Sequence, residues 1–413
     1  MFIYATVYEI AYQLARLFRP FVKSIDAFYD QRISSTRRVN ASSFASTDKV
    51  LWFHCASLGE FEQIRPLLEQ VKSDFPDAKR LVTFFSASGY EIHHNTTLAE
   101  EVFYLPFDRK KNISHFLDKI RPNALFLVKY EFWPMLLFYA KKQAIPIFSI
   151  SSNFRKNQRF FSFWSFGTKR LLQAINHFFV LNERSKELLN SIGIDQVTVS
   201  KDTRFDRVLE NSKTHKRLPI VEHFLSGKKG FILGSTWPED HEIFSFETKI
   251  DFSLKWIIAP HRVDKKAIDQ LTTCLSVPYA KWSTYSKETD CNKSVLILDC
   301  IGILSHAYAY GEIAYVGGGM GEKGLHNILE AAVYGIPTLI GKNYINFPEA
   351  VDLVQLGGVH SVGNKKMFET TFQSISQDKQ KGKSMGNINK NYILSHKGAS
   401  ALIISYVKEW LDL

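Results

Sequence analysis

From residue 49 onward, short apolar runs rich in β-branched and aromatic residues alternate with helical patterns of about ten residues. The first series predicts strands over 49–55, 80–85, 102–105, 124–128, 145–150, 177–181 and 196–200. Helices such as 61–73 and 183–191 fall between them, the latter stopped by Gly193. A second series predicts strands over 231–234, 256–259, 294–298, 313–317 and 338–340. Runs that are apolar throughout, rather than alternating, belong to parallel sheets covered by helices on both faces. A polar, Lys-rich stretch over 208–229 separates the two series and reads as a linker. The pattern predicts an α/β protein of two Rossmann-like domains, 41–207 and 230–395, facing a central cleft, with an N-terminal helical segment over 1–40 and a C-terminal helix over 396–413.

The length, 413 residues, suits two domains, and 45% hydrophobic with 23% charged residues excludes a disordered or collagen-like chain. Lys and Arg outnumber Asp and Glu by 52 to 41, a formal charge of +11, which calls for an anionic partner: nucleic acid, an acidic substrate or an anionic membrane face. Cys55, Cys274, Cys291 and Cys300 stand singly, so neither a disulfide framework nor a zinc ribbon is indicated, and a reducing compartment is expected. The first twenty residues are apolar, but Glu9, Arg16 and Arg19 interrupt them, short of the roughly 20 apolar residues a span requires. They read as an amphipathic helix with Phe2, Tyr4, Tyr8 and Tyr12 beside Arg16, Arg19 and Lys23, suited to a membrane interface or to packing on its own domain.

Ligands of open α/β sheets bind beyond the carboxyl ends of the strands, so the loops there are the candidate chemistry. After the first strand, H-C-A-S-L-G-E ends on Glu60, a possible general base or simply an acid at the positive end of the next helix. K-Y-E-F-W-P carries Lys129 and Glu131 where the fourth strand meets a Pro-initiated helix. S-K-D-T-R-F-D-R carries Arg204 and Arg207, to reach an anionic ligand or to pair with Asp202 and Asp206. In the second half, G-S-T-W-P-E-D suits hydroxyl or phosphate contacts, or a helix cap by Ser235 or Thr236. A-P-H-R places His261 and Arg262 beyond a strand. Y-V-G-G-G-M-G-E-K-G-L-H-N-I-L-E is a glycine-rich loop with Gly318 and Gly319, expected to open a helix near His326 whose positive end meets an anion, with Glu330 one turn in to accept from ribose hydroxyls. No two aspartates stand two positions apart, so no D-x-D holds a metal on a nucleotide diphosphate, and no divalent cation or other cofactor is expected. No basic-aromatic nucleic-acid module is present either.

S-L-G-E, Y-L-P-F-D, K-Y-E-F-W-P, D-T-R-F-D-R, G-S-T and H-N-x-L-E, in this order and at these intervals, resemble the 3-deoxy-D-manno-octulosonic acid (Kdo) transferases, over nearly the whole chain to about Gly358. The resemblance implies the glycosyltransferase-B architecture, with an acceptor-binding first domain and a donor-binding second domain. It implies transfer of Kdo from CMP-Kdo to the lipid A precursor, with inversion, at the cytoplasmic face of the inner membrane, with no nucleic acid involved. By the same resemblance Glu60 is the general base and Arg204 stabilises the transition state. Pro260, His261, Arg262, Ile301, Gly302, Ile303, Asn327, Ile328, Leu329 and Glu330, with Gly318, Gly319 and His326, hold the donor nucleotide, and Glu131 and Lys129 lie on the acceptor side. The chain departs from the family pattern in four places: Lys129 stands where many members have an acid, P-H-R replaces P-R-H, Lys201 stands where a glycine is usual, and the loop from Gly321 to Gly324 is slightly long.

Overall fold

The computed structural model describes residues 2–161, 166–214, 216–244 and 254–411. These fall into two compact units, Met1–Arg207 with Gly398–Leu413, and Val208–Lys397.

The first unit is built on a seven-stranded parallel sheet of β1 (Val50–Cys55), β2 (Lys79–Phe84), β3 (Glu101–Tyr104), β4 (Ala124–Val128), β5 (Ile147–Ser152), β6 (His177–Val180) and β7 (Val197–Val199), ordered β3-β2-β1-β4-β5-β6-β7. The apolar strands bury both faces, as the continuous runs require. Trp52, Leu81, Leu125 and Phe178 join one core, and Phe53, Val82, Phe126 and Phe148 join the other. The C-terminal helix Ala399–Leu411 contributes Ile403, Ile404 and Val407 to that second core. Its start is capped by Asp206, whose carboxylate accepts the amides of Gly398 and Ser400 at 2.6 and 2.7 Å. The segment expected as a terminal appendage is thus part of the first unit.

The second unit repeats the plan with β8 (Gly230–Thr236), β9 (Lys255–Pro260), β10 (Tyr279–Lys281), β11 (Val295–Ile297), β12 (Gly311–Val316), β13 (Thr338–Gly341) and β14 (Val359–Val362), ordered β10-β11-β9-β8-β12-β13-β14. The pattern of apolar runs misses β10 and β14, the two edge strands. Both are short and half-buried, so neither needs a continuous apolar run. The expected linker is largely helical. It carries the end of the helix Arg204–Lys213 and the helix Pro219–Leu225, whose Val221, Phe224 and Leu225 are buried. Division between the units falls inside the first of these helices.

The N-terminal segment forms two helices, α1 (Phe2–Phe18) and α2 (Lys23–Asn40), where one was expected. The tyrosines of α1 do not face outward. Tyr4 Oη donates to the buried carboxylate of Asp108 at 2.9 Å, and Tyr8 Oη accepts the Asp108 amide at 3.2 Å. Tyr12 packs edge-on against Phe107, and Glu9 receives a bidentate pair of hydrogen bonds from Arg109 at 2.6 and 2.7 Å. The side chain of Phe2 lies outside the described residues. What α1 presents outward is aliphatic, at positions spaced four and three apart: Ile3 (79% exposed), Val7, Ile10, Leu14, Leu17 (69%) and Phe21 (82%) beyond its end. Among the described residues no helix is long and apolar enough to cross a membrane.

Three glycines let the chain after β12 cross the ends of its neighbours. A Cβ on Gly317 would stand 2.4 Å from Ser235 O, one on Gly319 2.9 Å from Gly341 N, and one on Gly341 2.2 Å from the Gly319 carbonyl carbon. Both sides of the last crossing are backbone, which cannot yield as a side chain can. Gly341→Ala is therefore expected to destabilise the protein by about 1–3 kcal/mol, read as an earlier urea transition with protection from hydrogen exchange lost around residues 315–345. An unchanged transition would show that the crossing has slack.

Candidate functional site

In the first sheet the strand order reverses between β1 and β4, and in the second between β8 and β12. Connections from neighbouring strands leave in opposite directions at such a point, opening a crevice at the carboxyl ends. The sequence motifs fall on these two places.

In the first unit, β1 runs into α3 (Leu58–Asp74), which begins before Glu60, three residues earlier than the pattern predicts. Glu60 sits in its first turn, and its Oε2 accepts the Ala56 amide at 2.6 Å. β4 runs into Lys129, Tyr130 and Glu131, with Lys129 in the left-handed region at φ 55°. The two acids are held differently. Burial raises the pKa of Glu60, and of its other influences the Ala56 amide opposes this while the charge of Glu131 adds to it. Burial also pushes Glu131 upward, but the His54 hydrogen bond and charge, and the Trp133 indole, outweigh it and hold Glu131 below its ordinary value.

A chain of hydrogen bonds along one face of the sheet fixes this arrangement. The Trp52 indole N–H, which can only donate, gives its proton to Thr83 Oγ1 at 2.8 Å. Thr83 Oγ1 is 2.9 Å from His54 Nδ1, and His54 Nε2 is 3.4 Å from Glu131 Oε2, which also accepts the Trp133 indole N–H at 2.8 Å. A carboxylate can only accept, so the hydrogen between His54 and Glu131 is carried by Nε2. On the other side of the ring, Nδ1 lies 3.1 Å from the Thr83 carbonyl oxygen as well as beside the Thr83 hydroxyl. His54 and Thr83 are register partners in β1 and β2, and both are fully buried.

Arg204 opens the helix Arg204–Lys213, and its guanidinium is held by buried Asp202, with Nε donating at 2.9 Å. Arg207 turns instead to Glu62 and Glu69 on α3, at 3.6 and 3.5 Å. Asp206 caps the C-terminal helix, so the expected pairing holds for Arg204 with Asp202 but not for Arg207 with Asp206. Lys201 adopts φ 66°, a backbone that glycine occupies most readily, which accounts for the glycine usual in the resembling family. Asp108 of Y-L-P-F-D is structural. It caps the helix Pro134–Lys142 by accepting the amides of Met135 and Leu136 at 3.0 and 2.8 Å.

In the second unit the loops after β8, β9 and β12 converge. Neither Ser235 nor Thr236 caps the helix Pro238–His241. Buried Asp240 does, accepting the amide of Trp237 at 2.8 Å, and it also accepts the amide of Gly318 at 2.8 Å and the hydroxyl of Tyr315 at 2.7 Å. The Gly318 amide is thus already engaged, and the glycines serve close packing more than a phosphate cradle. Nor does a helix open near His326: the helical turn is Leu329–Ala332, four residues long, and Glu330 lies in its first turn. Asn327 Oδ1 accepts the Leu329 amide at 3.2 Å, and Asn327 Nδ2 donates to Glu330 at 3.3 Å.

Three rings stack beside this loop. His261 lies between Trp237 and His326, 4.5 Å from each centroid, and the Trp237 indole donates to His326 Nε2 at 2.9 Å. His326 therefore carries its proton on Nδ1. Burial, then the neighbouring His261, push its pKa down to about 4, and burial with Arg262 lowers His261. With both pKa values lowered, the imidazoles are neutral donors and acceptors at neutral pH, and positive charge near them must come from other side chains. That charge sits on Arg262, exposed and paired with Asp264 at 2.9 Å, and on Lys323, 6.0 Å from the Trp237 ring. Pro260 ends β9, Ile301 is 85% exposed, Gly302 turns at φ 92°, and Ile303 leads into the short helix Leu304–Ala307. Ile328 and Leu329 are buried against the core. The pattern overlooks His54, Trp237 and Asp240 as site residues, although H-C-A-S and G-S-T-W-P-E-D contain all three. Their roles depend on partners far along the chain.

The family model for 3-deoxy-D-manno-octulosonic-acid transferase (kdotransferase) matches residues 12–207. Over 411 residues the chain is 26% identical to a bifunctional glycosyltransferase/methyltransferase of Fusobacterium nucleatum, a match that takes 95% of this chain and 63% of the relative, so the chain spans less than two thirds of that protein. It is 23% identical over 400 residues to a 3-deoxy-D-manno-octulosonic acid transferase of Haemophilus influenzae, covering 93% of this chain and 92% of that one. The Chlamydophila psittaci transferase is 26% identical over 309 residues, 71% of this chain and 70% of its own. Among solved structures, UDP-GlcNAc 2-epimerase from Neisseria meningitidis bound to UDP-GlcNAc matches with a TM-score of 0.63 at 19% identity, over 87% of this chain and all of that one (100%). MurG of Acinetobacter baumannii matches with a TM-score of 0.52 at 9% identity, over 88% and 99%. These two likenesses show the fold, paired parallel-sheet α/β domains of the glycosyltransferase-B kind. The family's own domain thus matches the first unit and relatives of that name align through both units, so the chain is similar over most of its length to the 3-deoxy-D-manno-octulosonic-acid transferases, which are glycosyltransferases.

Proposed function

We propose that the protein transfers Kdo from CMP-Kdo to the lipid A precursor, lipid IVA, with inversion and without a metal, in lipopolysaccharide core biosynthesis. The observation that carries the mechanism is the pair Glu60 and Glu131, two carboxylates at one strand-order reversal whose environments push their pKa values apart. A base with a raised pKa is the better proton acceptor near neutral pH, and an acid kept ionised beside it supplies the raising charge. Glu60 accepts the proton of an acceptor hydroxyl. The oxygen bonds to the anomeric carbon from the face opposite the nucleotide, and the bond from that carbon to the phosphate oxygen breaks, its electron pair leaving with CMP. In the second unit Arg262 and Lys323 carry positive charge suited to the departing phosphate, and Nδ1–H of His326 can donate to it; Arg204 keeps the role in the transition state that the resemblance implies. Glu330 and Asn327 suit ribose hydroxyls. The outward aliphatic stripe of α1, with exposed Arg16 and Lys23 near its end, supports peripheral attachment to the anionic inner face of the inner membrane.

A glycosyltransferase using another nucleotide sugar is the second reading, favoured by the likeness to the epimerase with UDP-GlcNAc bound. Protection by CMP and not UDP is expected in thermal-shift titrations, and protection by UDP alone would sink the Kdo donor.

Three further outcomes are expected. Glu60→Gln deletes proton acceptance at nearly constant volume, so turnover of CMP-Kdo should fall by roughly 10²- to 10⁴-fold with CMP binding retained; wild-type turnover would remove Glu60 from the role. Glu60 works ionised, so activity is lost as pH falls through its raised pKa. Glu131→Gln removes one cause of that rise, and the acid limb of kcat/KM should move to lower pH; a limb that stays put would show that Glu131 does not act on the base. For the membrane, truncating α1 would strip Tyr4 and Tyr8 from buried Asp108, so the cleaner probe is Leu17→Asp with Phe21→Asp. This variant should sediment less with phosphatidylglycerol vesicles while melting as the wild type does, and unchanged sedimentation would count against the stripe.

A further inference from the structure

Helix α1 is apolar on both sides, which a helix on a protein surface does not need for folding alone. Its inner side meets α2 along a groove of about 350 Å³, with Ala11 and Ala15 on one wall, Ile25 and Phe28 on the other, and Tyr29 and Phe107 across the floor. Two of the tyrosine hydroxyls are engaged with the protein: Tyr29 Oη donates to the Tyr12 carbonyl at 2.6 Å, and Tyr8 Oη accepts the Asp108 amide at 3.2 Å. The rest of the lining is mostly ring faces and aliphatic carbon.

A run of touching aromatic rings leads from the groove's Phe28 to the acidic site. Phe28 is 5.9 Å from Phe107 and 5.7 Å from Phe85, Phe85 stacks on Trp133 at 5.1 Å, and the Trp133 indole donates to Glu131 at 2.8 Å. Arg32, 2% exposed, stiffens this wall: its guanidinium lies 3.4 Å from the Phe28 ring and 4.8 Å from Phe85, and donates to the Phe85 carbonyl at 2.8 Å. Exposed Arg16 and Lys23 stand next to Ala15 and Ser24 at the groove's end, matching a phosphorylated lipid in charge.

We propose that the groove between α1 and α2 holds one acyl chain of the acceptor lipid while the lipid's reactive hydroxyl lies at Glu60. This rests on the Kdo transferase reading, and it assigns the groove to a single alkyl chain, distinct from the bilayer that the outer stripe would meet.

The test compares Ala15→Phe, which fills the groove, with Leu402→Phe on the exposed side of the C-terminal helix, in the full chain, using lipid IVA and its fully deacylated disaccharide as acceptors. Ala15→Phe should raise KM for lipid IVA at least tenfold, with KM for the deacylated acceptor, KM for CMP-Kdo and vesicle sedimentation unchanged; Leu402→Phe should leave both acceptor constants as they are. Dodecanoic acid bearing a diazirine should label the peptide containing Phe28 and Tyr29 in the wild type and not in Ala15→Phe, a readout that needs no turnover. Shortening the probe should weaken labelling by roughly fourfold per methylene. Should Ala15→Phe misfold, the smaller Ala15→Leu serves in its place. Equal KM for lipid IVA in wild type and filled variant, or labelling that ignores the substitution, would overturn the groove. Labelling as expected with no transfer from CMP-Kdo to either acceptor would uphold the groove and overturn the reaction.

Discussion

A parallel sheet buried on both faces leaves a charged side chain few places to meet a ligand, and the best of them is the carboxyl edge where the strand order reverses. This constraint orders both units. In the first, Glu60 and Glu131 leave from β1 and β4 on either side of the reversal. In the second, Trp237 and Asp240 follow β8, and the glycine-rich loop follows β12, again the two strands at the reversal. The apolar strands make the folding core and, by excluding polar groups from everywhere else, concentrate the chemistry.

Buried polar groups that do occur inside the sheets are tied to these edges. His54 and Thr83 lie within buried strands, and their hydrogen bonds link the Trp52 indole to Glu131. Asp240 plays a similar part in the second unit, joining Trp237, Tyr315 and Gly318 so that the loops after β8 and β12 are set against each other. In both places low polarity makes an unsatisfied partner costly, and the networks are correspondingly well connected.

The N-terminal helices show how one apolar sequence serves two sides. Tyrosines and alanines at 4, 8, 11, 12 and 15 face the domain, while aliphatic residues at 3, 7, 10, 14 and 17 face out. The aromatic excess of the composition is spent largely here and in the cores, where rings from Phe28 to Trp133 form one connected wall.

Much of this was legible in the chain itself. Continuous apolar strands determined two parallel sheets, because only double-sided burial tolerates them, and the order of short motifs carried the resemblance to the Kdo transferases and put Glu60, Glu131 and the glycine-rich loop at strand ends. What sequence patterns could not determine were features made by partners distant along the chain. The edge strands β10 and β14, the inward turn of the tyrosines onto Asp108, the engagement of the Gly318 amide by Asp240, and the link from Trp52 to Glu131 all required the tertiary structure. Periodicity reports which side of an element is buried, but a hydrogen bond between residues 77 positions apart, as between His54 and Glu131, exists only once the sheet has brought them together.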